Sequence, residues 1–323
     1  MKLRTWQIWL SLTVLIVLSI VFAMPFIWMA STSFKVEDRV QSAPTQVLPE
    51  ASFIHWHGQT VRVRPGMMKG DQREVQIMAG NTPKQTVRVN PRDIFSKPYF
   101  DVYNYTDALA SFPFLHYLRN TLIISASVVL GTVLSCSLVA YGLACVNWRG
   151  REILFWIMLS TMMLPGQVTM IPLFLTYKHL GWINTFLPLI VPAFFGNAFF
   201  IFLLRQFYRS VPRDLMEAAR LDGCNDLGIW WRLMLPLSRP ALAVVALFTF
   251  IATWNDFLGP LIYLNDDSKY TLSLGLAMFQ GQYNTQWGQM MAMSLLMTLP
   301  IILLFFFTQK SFIQGVKLSG IKG

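Results

Sequence analysis

The chain has 323 residues, 54% hydrophobic and only 13% charged, with 25 Phe, 17 Met and 11 Trp. That balance excludes an ordinary soluble domain and fits a polytopic membrane protein. Its formal net charge of +10 could suit a nucleic-acid binder, but the basic residues flank the apolar runs and mark topology instead.

Lys2 and Arg4 precede an apolar run from Trp6 to Ala30. At about 1.5 Å per residue a helix of this length crosses a hydrocarbon core of about 30 Å. The run is too long for a cleavable signal peptide, and no small-x-small site follows it cleanly. It is read as a retained first span, with residues 1–35 as one segment.

Residues 36–114 form the one large polar segment, expected to be a small β-rich extracytoplasmic insertion. The alternations Val61-Arg62-Val63-Arg64, Glu74-Val75-Gln76-Ile77 and Thr86-Val87-Arg88-Val89 predict half-exposed strands. Pro65-Gly66, Gly80-Asn81 and Asn90-Pro91 are the expected turns. His55-Trp56-His57 would put two histidines on one strand face, as a metal pair needs, but no third ligand is evident, so no metal site is assigned.

Five more spans are expected in residues 115–323. The second runs from Arg119-Asn120-Thr121 to about Val146, with Ser125, Ser127, Gly131, Ser135 and Ser137 permitting close helix contact. The third, about Ile153 to Tyr177, is interrupted by Pro165-Gly166 and Pro172; such breaks are either kinks or unwound turns beside a translocation path. Lys178 to Trp182 is an outer turn, and Asn184 to Phe207 the fourth span, holding Asn197. The fifth, Ala241 to Leu264, contains Trp254-Asn255-Asp256-Phe257. An acid in a span is by default a functional candidate, with an interfacial, hydrogen-bonded carboxylate as the bland alternative. After an outer loop at 265–288, the sixth span covers about Gln289 to Thr308, and a tail follows at 309–323. Cys136, Cys145 and Cys224 are too few and too scattered for a disulfide framework.

Charge sets the orientation. With the N-terminus inside, thirteen basic residues fall on inner segments and two, Lys178 and Lys269, on the short outer loops. Both termini are therefore expected in the cytoplasm, and no nucleic-acid partner is needed to explain the charge.

Between the fourth and fifth spans lies Pro212 to Pro240, the longest inner segment between two apolar runs. Ser210 and Pro212 predict a helix start, with Asp214 and Glu217 at its positive end. Gly223 is expected to end that helix. A second amphipathic stretch, Leu227 to Leu235, carries Trp230 and Trp231 and is expected to stop at Pro236. A short helix of this kind suits docking in another protein's groove.

This segment resembles the EAA loop of ABC-importer permeases. The pattern of Glu-Ala-Ala, three residues, Gly, nine residues, an aliphatic, one residue and Leu-Pro is met by Glu217, Ala218, Ala219, Gly223, Leu233, Leu235 and Pro236. Leu233 stands where Ile is commoner. Asn120-Thr121, Trp148-Arg149-Gly150-Arg151, Trp254-Asn255-Asp256-Phe257 and the ending Gly320-Ile321-Lys322-Gly323 look like the carbohydrate branch, specifically the maltose-type permease without a large second-loop domain. The insertion departs from that subunit's usual short first loop.

The resemblance implies an all-α polytopic fold with six transmembrane helices, of the type I ABC-importer kind, in a bacterial inner membrane. Its implied partners are the lipid bilayer, a second homologous permease, two copies of a cytoplasmic ABC ATPase and an extracytoplasmic sugar-binding protein. Glu217, Ala218, Ala219, Asp222 and Gly223 would form the ATPase-coupling helix, and Lys317, Gly320 and Lys322 would lie in a tail reaching the ATPases. The outer loop at 265–288 would touch the binding protein. Asn197, Asn255 and Asp256 are the polar candidates for the translocation path. The sequence carries no GxxxxGK[ST] motif, so ATP and Mg would be bound by the partner, and no cofactor, catalytic residue or metal is assigned to this chain. An ATP-driven sugar importer is thus the leading reading. Its alternatives are an importer of a non-sugar solute and an ion-coupled secondary transporter, for which Asp256 is the sole intramembrane acid to offer.

Overall fold

The computed structural model describes residues 5–43, 45–79, 82–280 and 286–320. The chain divides into two units, one of Met1–Pro113 with Leu276–Leu299, the other of Phe114–Gly275 with Pro300–Gly323.

The first unit opens with α1 (Thr5–Ser33), a helix that passes Pro25 without stopping. It exposes Trp9, Leu15, Phe22 and Met24 on all sides, as a helix solvated by hydrocarbon would. After α2 (Glu37–Ser42) come β1 (Glu50–Trp56), β2 (Gln59–Lys69), β3 (Gln72–Ala79), β4 (Thr82–Val89) and β5 (Phe95–Pro98), then α3 (Tyr103–Ser111). The strands form one antiparallel sheet in the order β4-β3-β2-β1-β5. Period-two alternation carries Ile54, Val63, Val75 and Val87 to one face, where they form a small apolar core. Arg39 of α2 donates to the hydroxyls of Ser52 and Ser96, fastening that helix to β1 and β5. The side-chain amide of Asn104 in α3 donates to the carbonyls of Ser33 and Lys35, closing the chain onto the end of α1.

Two local expectations fail here. Pro65-Gly66 is no turn: both residues lie inside β2, where the register with β3 shifts between Pro65 and Met68. A bulge absorbs the residue that cannot donate to the ladder. His57 does not share a strand face with His55, because β1 ends at Trp56 and His57 sits in the hairpin turn with φ 48°. The Gly80-Asn81 turn lies outside the described residues.

The second unit holds α4 (Phe114–Ala144), α5 (Arg151–Thr161), α6 (Gly166–His179), α7 (Leu187–Ile190), α8 (Ala198–Arg209), α9 (Arg213–Leu221), α10 (Asp226–Ile229), α11 (Leu235–Leu237), α12 (Arg239–Trp254), α13 (Leu258–Tyr263) and α14 (Leu272–Leu276). The last helix, α15 (Trp287–Gly320), belongs to the first unit as far as Leu299 and to the second beyond it. Among the described residues four helical segments are long and apolar enough to cross a membrane, and six when each of two bent pairs counts as one span. The protein is therefore a mostly helical membrane protein of the expected six-span kind, with a small sheet between the first two spans.

The spans differ from their expected outlines in instructive ways. The third bends by 96° between α5 and α6, ahead of Pro165, and Pro172 rides inside α6. The fifth stops at Trp254 and resumes as α13, so Asn255-Asp256-Phe257 is a break between two helices. The outer loop at 265–288 is not wholly irregular, since it contains α14 and the start of α15. The sixth span, Trp287–Thr308, ends where expected, and the helix backbone continues past it to Gly320. Asn120 and Thr121 have a definite task. The Asn120 amide donates to the carbonyls of Ser268 and Tyr270, and the Thr121 hydroxyl accepts from Leu272 N–H at 2.9 Å, pinning the segment before α14 to α4.

Gly131 in α4 is a point of close approach, as expected of a small residue there. A Cβ at this position would stand 2.7 Å from the ring of Phe194. Gly131→Val is expected to overpack the contact, lowering stability by about 1–3 kcal/mol. A lowered thermal midpoint in detergent that Phe194→Ala partly restores would bear this out, whereas an unchanged midpoint would show that the ring yields freely.

Candidate coupling loop

The loop begins where α8 ends. Pro212, with φ −56°, occupies the position ahead of α9. Ser210 does not cap that helix as expected, because its hydroxyl donates back to the Phe207 carbonyl at 2.7 Å. Asp214 sits in the first turn, where the helix dipole favours an anion. Gly223 ends the helix with φ +84°, a backbone state that a side chain would strain, and the N–H of Cys224 bonds the Ala219 carbonyl at 3.0 Å. Asn225 then caps α10, accepting from Gly228 N–H at 2.8 Å.

The two faces of α9 differ sharply. Met216, 6% exposed, enters a core built from Tyr141, Leu143, Leu204, Tyr208, Ile229 and Met234, with half-buried Ala219 beside it. Glu217, Ala218 and Leu221 point the other way, and Leu221 is 89% exposed.

Ion pairs fix the loop's shape. Arg220 Nη2 lies 3.1 Å from Asp226 Oδ1, tying α9 to α10, and the Tyr141 hydroxyl donates to the same oxygen at 3.4 Å. The hydrogen bond to Asp226 holds the Arg220 guanidinium pKa above its ordinary value. Glu217 has no ion-pair partner among the described residues and edges a recess of about 60 Å³ with Arg213, Arg220 and Asn147. After α10 the backbone widens into a π-helical turn at Trp230–Met234, leaving Trp231 exposed and Trp230 half-buried. Pro236 does not break the second helix. It lies just past the π-helical turn, one residue before the helical run from Asp226 ends at Leu237, and the direction changes by 81° only at Ser238.

Beneath the loop is a residue that the sequence reading passes over. Arg205, its side chain 3% exposed, donates from Nη2 to both carboxylate oxygens of Glu152 at 2.6 and 2.8 Å and from Nε to the Leu143 carbonyl. Its guanidinium carbon lies 3.8 Å from the centroid of Phe155. One side chain thus joins α4, the start of α5 and α8. The signal in the sequence is an arginine inside the apolar run Phe199 to Phe207.

The translocation-path candidates are all placed at helix ends. Asn197 caps α8, accepting from Phe199 and Phe200 N–H. Asn255 closes α12, donating its amide to the Ile251 carbonyl at 2.8 Å. Asp256 accepts from Gly259 N–H at 3.1 Å in the turn that starts α13. The backbone of Lys317 and Gly320 continues α15, and Lys322 lies outside the described residues.

Residues 131–318 match the family described as the binding-protein-dependent transport system inner membrane component. Similar proteins include the Arabinooligosaccharides transport system permease protein AraQ of Halalkalibacterium halodurans, 37% identical over 63% of this chain and 73% of that one. The Trehalose/maltose transport system permease protein MalG of Thermococcus litoralis is 34% identical over 68% of this chain and 81% of its own length. A chain from the crystal structure of a bacterial ABC transporter importing the acidic polysaccharide alginate shares the fold, with a TM-score of 0.69 and 23% identity over 96% of this chain and 98% of that one.

Arg205 yields a clear expectation. Glu152→Ala takes two charge-assisted bonds from a buried guanidinium, and because Glu152 is itself half-exposed about 2 kcal/mol of stability should be lost. Pairing it with Arg205→Leu should recover much of the loss. Thermal melting of the two variants in detergent tests this, and a double variant no better than the single would refute it.

Proposed function

We infer the function of this chain from the family to which it belongs, the inner-membrane components of binding-protein-dependent transport systems. It acts as the permease subunit of an ATP-driven importer that moves a sugar or oligosaccharide from an extracytoplasmic binding protein into the cytoplasm. A second, homologous permease completes the pathway, and a pair of ABC ATPases supplies and hydrolyses ATP with Mg. The chain sits in a bacterial inner membrane with both termini in the cytoplasm. The sugar assignment is supported by the names of its relatives, which include arabinooligosaccharide and trehalose/maltose permeases.

The observation that carries the coupling role is the two-faced helix α9. Its inner face is locked by Met216 into the bundle core, while Glu217, Ala218 and Leu221 face outward. A helix mounted in this way moves with the bundle, so a push on its outer face is felt by the spans. Glu217 would meet basic residues of the ATPase cleft in a charge-assisted contact. The tail carrying Lys317, Gly320 and Lys322 would extend toward the ATPases. Asp256, with one carboxylate oxygen already capping α13, gives little support to an ion-coupled mechanism.

Glu217→Lys is expected to insert normally yet abolish uptake, because it reverses the charge offered to the ATPase. Co-purification from detergent with mass spectrometry should recover an ATPase and a second permease with the wild type and lose the ATPase with the variant. A wild-type protein that purifies alone, or normal uptake by the variant, would overturn the assignment.

A further inference from the structure

Within the first unit, a cavity of about 300 Å³ opens between the sheet, α2, α3 and the first turn of α15. That size is at the lower end for small-molecule pockets and equals the liquid volume of about ten waters. Its wall has a fixed part. Arg62 and Asp101, with side chains 9% and 2% exposed, pair at 3.3 Å, and the other Asp101 oxygen accepts from Tyr103 N–H. Glu37 accepts from the backbone N–H groups of Trp287 and Gly288, which ties α2 to the start of α15. In front of this framework stand Asp38, Arg64 and Gln289, whose side chains have no hydrogen-bond or ion-pair partner among the described residues.

We propose that this cavity is a saccharide subsite that takes one unit of a neutral oligosaccharide. The proposal rests on the reading of the chain as a sugar permease and adds to it a site outside the spans. Carboxylate, guanidinium and amide groups are planar, and each can bond two adjacent hydroxyls of a sugar ring. A polyhydroxylated ring can therefore replace the waters of such a cavity hydroxyl for water, where an apolar ligand would strand the charged wall. Charge selects the class of sugar. Glu37, Asp38, Asp101 and Asp107 outnumber Arg62 and Arg64 around the cavity, so a uronate carboxylate would meet net repulsion that a neutral ring escapes. The lining includes no aromatic platform, and the affinity expected is in the millimolar range, as suits a site that passes sugar on.

The test uses the full-length chain in detergent and ligand-observed saturation-transfer NMR. The probes are arabinotriose, maltotriose, xylotriose and galactotriose, with trigalacturonate as the acidic counterpart. At least one neutral trisaccharide should bind, and the acidic one should bind about tenfold more weakly or not at all. In Asp38→Ala/Arg64→Ala the neutral ligand should lose about tenfold or more in affinity, the scale expected for a hydrogen bond to a charged group. The thermal midpoint should not change; if it falls, Gln289→Ala is read in its place. Absence of binding by all four neutral probes, binding indifferent to the substitutions, or tighter binding of trigalacturonate would each overturn the subsite. Uptake and ATPase co-purification, measured on the same variants, report on the permease reading separately, so either can fail while the other stands.

Discussion

A guanidinium whose side chain is 3% exposed cannot sit alone in an apolar bundle, and Arg205 is tolerated because its Nε, its Nη2 and one face each find a partner. Glu152 takes two bonds, the Leu143 carbonyl takes a third and the Phe155 ring covers its face. These partners come from three different segments, so the pairing fixes where the end of α4, the start of α5 and α8 stand relative to one another. The core that receives Met216 of α9 is built on the same segments, through Tyr141, Leu143, Phe155, Leu204 and Tyr208. The loop's mounting thus shares its segments with a charge pair whose buried member, Arg205, would be left short of partners without Glu152.

Against that rigid end stand several interrupted helices. The backbone breaks between Thr161 and Gly166, at Gly196-Asn197 and at Asn255-Asp256-Phe257. Each break frees polar backbone groups that hydrocarbon would not satisfy. At the last two, a short polar side chain deals with part of this locally: Asn197 and Asp256 accept from freed N–H groups, and the Asn255 amide adds a second bond to the Ile251 carbonyl, which its own backbone N–H already reaches. Residues that look from the sequence like possible ligands for a solute therefore have a nearer occupation. Sequence could not separate the two roles, because a capping Asn and a pore-facing Asn carry the same side chain in the same apolar context.

Hydrophobic length made the number of spans legible, and the short helix that carries Glu217 and stops ahead of Gly223 was readable from proline, glycine and charge chemistry. The strands at Val61–Arg64, Glu74–Ile77 and Thr86–Val89 were visible as alternation, while β1 was touched only at its end, by His55-Trp56-His57, and β5 not at all. β5 has only four residues, too few for a period to show, and the alternation in β1 is weak. Pro65 and Pro236 misled for one reason. Proline ends most strands and helices, yet a bulge accommodates the first and a π-helical turn precedes the second. Ser210 misled because a hydroxyl near a helix end can bond backward as easily as forward. The Arg205 clamp was out of reach, since Glu152 and Arg205 are far apart in sequence and only the packing of α5 on α8 brings them together.

If α9 is the lever through which an ATPase moves the spans, then its outer face should touch that ATPase and its inner face should not. Single cysteines at Leu221 and at Met216, in a chain lacking its native cysteines and co-expressed with its partners, can be challenged with a short bifunctional thiol reagent in membranes. Leu221→Cys should cross-link to the ATPase, with a yield that changes when ATP is added, and Met216→Cys should not cross-link. Failure of Leu221→Cys to cross-link in an assembled, transporting complex, or equal cross-linking from Met216→Cys, would contradict the coupling role.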